Sequence, residues 1–328
     1  MNMHSTNDSH IAPVNRIAVI GCGHVGATSA YALLMSGVAR EIVLVDANPE
    51  RAAGEAMDLQ QAVPLARPVR LWAGDYREAA QSAIAVIAAG VGSRPGETRL
   101  DLLGRNVVVV RECMKRLLAE GFDGIVLMTT NPVDVLAQVA QAESGLPLNR
   151  VIGSGTVLDS ARLRSMLGAE LGVEARSVHA YVIGEHGDSE IAAWSSAHIA
   201  GAHLREYCEG GGLQCPDFAA LLERVRHAAP DIIRHKGYTS FAIASCVARI
   251  CESIMRDERS VLPVSTMMRG QYGIDDVYLS LPCVVGRGGV ERVIELSLDE
   301  GERAGLLRSA EVLRRTLESL RRTSGAAA

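Results

Sequence analysis

Ile17-Ala18-Val19-Ile20-Gly21-Cys22-Gly23-His24-Val25-Gly26 is the stretch on which the fold turns. Four apolar residues read as a buried strand, the next six as a tight glycine turn, and Ala27 to Ser36 as an apolar helix. A bare G-x-G-x-x-G is weak evidence. Here it lies between a strand and a helix, and a second strand, Glu41 to Val45, ends at Asp46, twenty residues past Gly26; that context makes it strong. Gly21 permits the turn, Gly23 lets backbone N–H groups meet a pyrophosphate, and Gly26 lets the helix pack on the strand, with Val25 in the same turn. The helix N-terminus receives the phosphate charge. Asp46 is placed to accept hydrogen bonds from ribose hydroxyls and to repel a 2′-phosphate, so NAD is expected rather than NADP. The alternative for Asp46 is a solvated strand-end carboxylate.

Working outward, strands and helices keep alternating. Ala83 to Ala89 reads as a third strand, Leu102 to Glu120 as a helix, Gly124 to Thr129 as a fourth strand, and Pro132 to Ser144 as a helix leading into Val151-Ile152-Gly153. This rhythm predicts an α/β fold, a Rossmann-type doubly wound parallel sheet that binds ligands at the carboxyl ends of its strands. Asn131 sits at one such end, although an Asn-Pro pair is also an ordinary turn. Gly90 to Arg99 holds three glycines and a proline around charged residues, the composition of a mobile lid with stiff joints. Arg99, where the next helix begins, is the cation such a lid would carry over a bound substrate; otherwise it is a surface arginine.

The rhythm weakens after Gly153. The expected organisation is a flexible tail over residues 1–14, or an arm that wraps a neighbouring subunit, a dinucleotide-binding domain over 15–153, and an α+β substrate domain over 154–328. Val157 to Leu171 reads as an amphipathic helix on which Asp159 and Arg162, three apart, share a face, while Arg164 points elsewhere. An apolar run then delivers His186 into the loop Gly184-Glu185-His186-Gly187-Asp188-Ser189-Glu190. Glycines on both sides allow a ligand close approach, and an imidazole titrates near neutral pH, which suits proton transfer. A histidine between glycines is more often a turn residue, so this reading depends on its partners. Downstream we expect one long helix through His227 and Lys236 to Ser253, strands around Val261 to Met267, Val277 to Val285 and Val290 to Leu298, and a closing helix from Asp299 to about Arg322. Its Glu302, Arg303, Arg308, Glu311 and Arg314 read as a solvated face.

Composition excludes several classes. Thirty-three basic against 38 acidic side chains leave a net charge of -5 without like-charge blocks, so there is no nucleic-acid footprint. No apolar run reaches the roughly 18 residues of a membrane span, and the start lacks a signal-peptide pattern, so a cytoplasmic protein is expected. Seven scattered cysteines without zinc-site spacing read as reduced core thiols, and no metal is expected.

With these pieces assembled, the chain resembles the lactate/malate dehydrogenase family, and within it the L-lactate branch. The resemblance runs from about Arg16 to Leu320 through GCGHVG, PGETRLDL, TNPVDVL, GSGTVLDSARLR, IGEHGDSE, HKGYTSFAI and YGIDDVYLSLPCVVG, in family order. It implies reversible reduction of pyruvate to L-lactate by NADH, with His186 as proton donor and acceptor and Asp159 as its carboxylate partner. Arg162 would hold the substrate carboxylate, Arg99 would polarise the carbonyl, Asn131 would hydrogen-bond in the centre of the site, Thr239 would line the pocket and Ile243 would pack against the nicotinamide. The chemistry requires these types: a protonated histidine neutralises the oxygen as hydride arrives, and arginine makes two parallel bonds to a carboxylate where lysine cannot.

Ser93 departs from the pattern. Lactate enzymes resemble one another in having glutamine at that place and malate enzymes in having arginine, and the residue contacts the variable end of the substrate. A short neutral hydroxyl cannot pair with a second carboxylate, which disfavours oxaloacetate, and it leaves room for 2-keto acids bulkier than pyruvate. Arg94 next to it could swing inward if the loop shifts by one residue. Arg164 and His179 match the positions at which the resemblance implies fructose 1,6-bisphosphate at a subunit interface; a rim arginine and a structural histidine are the alternative. The resemblance also implies a homotetramer. Two other functions stay open: a broader L-2-hydroxy-acid or malate dehydrogenase, and a dinucleotide-binding protein without turnover.

Overall fold

The computed structural model describes residues 15–92 and 96–325, so the expected tail over residues 1–14 lies outside the described residues. β1 (Arg16–Ile20), α1 (His24–Ser36) and β2 (Glu41–Val45) open the chain, followed by α2 (Pro49–Ala62), β3 (Arg70–Ala73), α3 (Tyr76–Ala79), β4 (Ile84–Ile87), α4 (Arg99–Ala119), β5 (Ile125–Met128), α5 (Val133–Ser144) and β6 (Val151–Gly153). All six strands pair in parallel in the order β3-β2-β1-β4-β5-β6, the doubly wound arrangement expected.

The central strands are buried along their whole length because helices cover both faces. Side chains alternate between the two covers. Ala18 and Ile20 of β1 join one apolar cluster with Val107 and Val110 of α4 and Leu136 of α5. Ile17 and Val19 join another with Leu33 and Leu34 of α1. Each fully buried Val, Leu or Ile among these contributes about 1.5–3 kcal/mol. β3 is absent from the sequence reading, and the reason is physical: it is a four-residue edge strand, paired only to β2, whose Arg70 is exposed, so neither length nor alternation marks it.

The second half begins with α6 (Val157–Leu171), whose bounds match the expected helix. Short strands follow: β7 (Val178–His179), β8 (Val182–Ile183), β9 (Ile191–Ala192), β10 (His198–Ile199) and β11 (Ala202–His203). Then come α7 (Leu204–Gly210), α8 (Phe218–Lys236), α9 (Phe241–Met255), β12 (Ser260–Arg269), β13 (Asp275–Gly286), β14 (Gly289–Val293) and α10 (Glu300–Gly325). The long helix expected through Lys236 to Ser253 is two helices. Gly237 at φ 88 ends α8, and the turn through Ser240 starts α9. The last strand stops at Val293, short of Leu298.

β12 pairs antiparallel with β6 at Ser265 and Gly153, and β13 and β14 continue outward, so nine strands form a single sheet. Helix α9 also joins the two halves: Val247 and Ile250 pack in the same cluster as Ile17 and Leu33. Glu302 is not on a solvated face. It is 9% exposed, its Oε1 accepts from Ser195 N at 2.9 Å and its Oε2 from Asp299 N at 3.1 Å, which caps α10 and ties it to the segment after β9. Every cysteine is free, and all but Cys215 are buried. Among the described residues, no helix is long and apolar enough to cross a membrane.

Candidate active site

The dinucleotide end is built at the carboxyl edge of β1. Gly21 has φ 97, and a Cβ there would lie 2.4 Å from Ala89 N, so a side chain is barred by both conformation and space. A Cβ on Gly26 would lie 1.8 Å from Gly21 O. Gly23 is different: nothing stands within 4 Å of its Cβ position, and it precedes α1 as a cap with no side-chain hydrogen bond. The start of α1 thus lacks a side-chain cap and has open space beside Gly23, the cradle a pyrophosphate fits. Asp46 is not merely a solvated carboxylate. Its Oδ2 accepts from Cys22 N at 2.6 Å and its Oδ1 from Asn48 N at 2.8 Å, so it fixes the glycine turn while half-exposed at the end of β2. Val25 is half-buried in the turn.

Beside this cradle stands the loop between α8 and α9. Tyr238 stacks on His24 with ring centroids 3.8 Å apart, Thr239 is half-buried next to it, and Ile243 is half-buried on α9 against the apolar cluster under α1. Asn131 lies exposed at the end of β5, before a cis peptide bond to Pro132. Its carbonyl accepts from Asn106 Nδ2 at 3.4 Å, and Asn106 Oδ1 accepts from Val91 N at 2.7 Å. The 3% exposed Asn106 thus ties the root of the lid to the strand end that carries Asn131.

The reactive end centres on His186, a histidine with a partner rather than a turn residue. Its Nδ1 lies 2.6 Å from Asp159 Oδ2, and Arg162 Nη1 donates to Asp159 Oδ1 at 2.9 Å. Helix spacing on α6 puts Asp159 and Arg162 on one face, as expected. Asp159, 2% exposed, is pushed up by burial, but the imidazole of His186 and the guanidinium of Arg162 outweigh this and hold its carboxyl below the usual carboxylate range. For His186 burial lowers the imidazole pKa, yet the carboxylates of Asp159, Asp134 and Glu190 prevail and raise it to about 9. With Nδ1 committed to Asp159, Nε2 is the nitrogen that can give and take a proton.

Four segments hold this loop. Gly184 pairs with Ser280 of β13, with Gly184 N donating to Ser280 O at 2.9 Å. Asp134 of α5 accepts from His186 N at 2.8 Å. Ser309 of α10 accepts from Glu185 N at 2.7 Å, while Ser189 Oγ donates to a carboxylate oxygen of Glu185. Arg226 of α8 donates to the carbonyl of Glu190. None of Asp134, Glu190, Arg226 and Ser309 figures among the residues expected from sequence. Asp134 was within reach, three residues past Asn131 in a quoted motif, but Ser309 lies 124 residues from its partner with no spacing to mark it.

The described ends of the segment from Gly90 to Arg99 are held from the helix that follows it. Arg105 on α4 clamps Glu97 with Nε to Oε1 at 2.6 Å and Nη2 to Oε2 at 2.7 Å, and its Nη2 also reaches Gly92 O at 2.8 Å. Ser93, Arg94 and the side chain of Arg99 lie outside the described residues.

Against known proteins, the lactate/malate dehydrogenase NAD binding domain matches residues 15–153, and the family's alpha/beta C-terminal domain matches residues 156–323. The chain belongs to the lactate/malate dehydrogenase family. An L-lactate dehydrogenase of Thermoanaerobacter sp. (strain X514) is 48% identical over 309 residues, 94% of this chain and 99% of the relative. One from Priestia megaterium is 46% identical over 302 residues, 92% and 95% of the two chains. Among solved structures, the minor L-lactate dehydrogenase from Enterococcus mundtii in a ligands-bound form is similar at 40% identity with a TM-score of 0.91, covering 94% of this chain and 98% of that one.

Within this member of the lactate/malate dehydrogenase family the NAD fold is present, and the residues at the glycine turn fit the dinucleotide: an open Gly23, uncapped N–H groups and a carboxylate at the end of β2. Arg164 and His179 have different surroundings. Arg164 is half-buried with Nε donating to Ser160 O at 3.3 Å, His179 is exposed on β7, and among the described residues no hydrogen bond joins them.

Proposed function

We propose that this protein is an NAD-dependent L-lactate dehydrogenase that interconverts pyruvate and L-lactate. The observation that carries the reading is the triad Arg162–Asp159–His186, in which one buried carboxylate orients both the acid–base group and the guanidinium. NADH, when bound, supplies hydride to the keto carbon. Arg162 holds the substrate carboxylate, Arg99 enters from the lid to stabilise the growing alkoxide once water is excluded, and His186 delivers its proton from Nε2 to that oxygen. Asp159 keeps the imidazole in the required tautomer and favours its protonated form. Asn131 and Thr239 line the pocket, Ile243 backs the nicotinamide, and Gly21, Gly23, Val25, Gly26 and Asp46 hold the dinucleotide.

Ser93 sets the variable end of the substrate, which disfavours a second carboxylate and admits larger 2-keto acids. The protein works in the cytoplasm as a homotetramer, with fructose 1,6-bisphosphate bridging Arg164 and His179 across a subunit interface. The test is steady-state NADH oxidation with pyruvate, oxaloacetate, 2-ketobutyrate, 2-ketoisocaproate and phenylpyruvate, each with and without the bisphosphate, alongside sedimentation. Pyruvate should give the highest kcat/KM, and His186→Gln should lower kcat by about 10²- to 10⁴-fold. A tenfold advantage for oxaloacetate, about 1.4 kcal/mol, would reassign the substrate. Silence across the panel would end the catalytic reading.

A further inference from the structure

We propose that Glu190 is a positioning residue of the proton-transfer site: its buried carboxyl acts with Asp159 to set the pH range over which His186 keeps its proton. The inference rests on His186 being the acid and base of the reaction. Glu190 is the last residue of the glycine-bracketed loop and is 2% exposed. One of its carboxyl oxygens, one of Asp159 and a ring nitrogen of His186 all lie within 4.8 Å of one another. Its Oε1 has no hydrogen-bond partner among the described residues. The main chain beneath the carboxyl is held on both sides: Glu190 N donates to Gly187 O at 3.2 Å, and the Glu190 carbonyl accepts from Arg226.

An acid held in this way without a full set of hydrogen bonds is costly, and a neutral residue of the same shape would avoid the cost. What the acid provides is a second source of negative charge beside the imidazole. The charged groups facing it are Asp159 and Arg162 from α6, Arg226 from α8 and His186 from its own loop, and Asp134 from α5 faces His186. The two arginines already have carboxylate partners, Arg162 with Asp159 and Arg226 with Glu223, the latter at 2.6 Å. Among the cations facing it, the imidazolium of His186 does most to favour a charge on Glu190, ahead of Arg226, whose Nε is buried without a hydrogen-bond partner among the described residues, and Arg162. Burial, and next the charge of Asp159, push the Glu190 carboxyl up to about 8, so it is neutral at and below neutral pH and becomes an anion in alkali. That is the range in which His186 would otherwise begin to lose its proton. Glu190 extends keto-acid reduction, which needs the imidazolium, toward higher pH, and it holds back hydroxy-acid oxidation, which needs the neutral ring.

Glu190→Gln tests this. The alkaline limb of pyruvate reduction should move to lower pH by about one unit, and in the cofactor-free protein the His186 imidazole, followed by NMR and assigned with His186→Gln, should titrate lower by the same amount. A purely structural role would lower the whole pH profile without moving its limb, and an unmoved limb and NMR midpoint would overturn the proposal. If the parent protein fails to turn over any keto acid, the catalytic reading falls while the NMR comparison still decides the electrostatic one. Should the glutamine variant not fold, Glu190→Asp must keep the limb in place, and carbon-13 labelling of the glutamate carboxyls in the unaltered protein must reveal one that titrates together with His186. A set of glutamates all titrating at the usual value would refute it.

Discussion

His186 and Asp159 are 27 residues apart in the chain and 2.6 Å apart in space, and the sequence suggested their pairing only through the family resemblance. Spacing did reveal that Asp159 and Arg162 share a helix face. Asp134 and Glu190 lie in quoted motifs, but nothing in their spacing gave them a role, because a carboxylate looks the same in sequence whether it is solvated or buried against a charge. These acids make a prediction about stability. His186 is raised from 6.5 to about 9, so its contribution is full below 6.5 and is lost as pH rises through 9. Glu190 is raised from 4.5 to about 8, so its contribution is present below 4.5 and is lost as pH rises through 8. Both effects have the same sign on the alkaline side. The urea midpoint of the cofactor-free protein should fall between pH 6.5 and 9, and His186→Gln should flatten that decline; a midpoint that rises over this interval would contradict the assignment.

The glycine turn and α1 were legible because each glycine answers a local steric demand, and the neighbouring strand and helix could be read from a few residues on either side. The glycine- and proline-rich composition of Gly90 to Arg99 was legible, but the attachments of its described residues were not. Arg105 lies beyond the lid's end, on a helix face that reads as ordinary polar surface, yet it makes a two-pronged clamp on Glu97 and a bond to Gly92 O. Removing the clamp should leave dinucleotide affinity alone and disturb substrate closure. For Arg105→Leu we expect kcat/KM for the keto acid to fall by about tenfold, with NADH affinity by fluorescence titration unchanged. A matching loss of NADH affinity would place the effect in the fold rather than in the lid. The break between α8 and α9 escaped the sequence reading because apolar spacing continues across Gly237 to Ser240.

At the scale of the molecule, the sequence pointed to two domains, and the expected boundary near Gly153 is where the glycine-punctuated rhythm fades. It did not reveal that β12 to β14 extend the dinucleotide-binding sheet, because strand order depends on pairings more than a hundred residues apart. The shared sheet and the α1–α9 packing make the halves mechanically interdependent. Calorimetry on the cofactor-free protein should therefore give one unfolding transition, and NADH at about 100 times its Kd should raise the stability of the whole by about 2.7 kcal/mol. Two separate transitions, only one of them moved by NADH, would show the halves to be independent. The hydrogen bond from Glu185 N to Ser309 on α10 has a consequence for synthesis. Of the four segments described as holding the histidine loop, α10 is the last to be made, so a nascent polypeptide carries its glycine turn and both members of the His–Asp pair while this brace is still untranslated. A ribosome-stalled chain ending before Ser309 would then be able to capture dinucleotide well before its proton-transfer loop is fully braced.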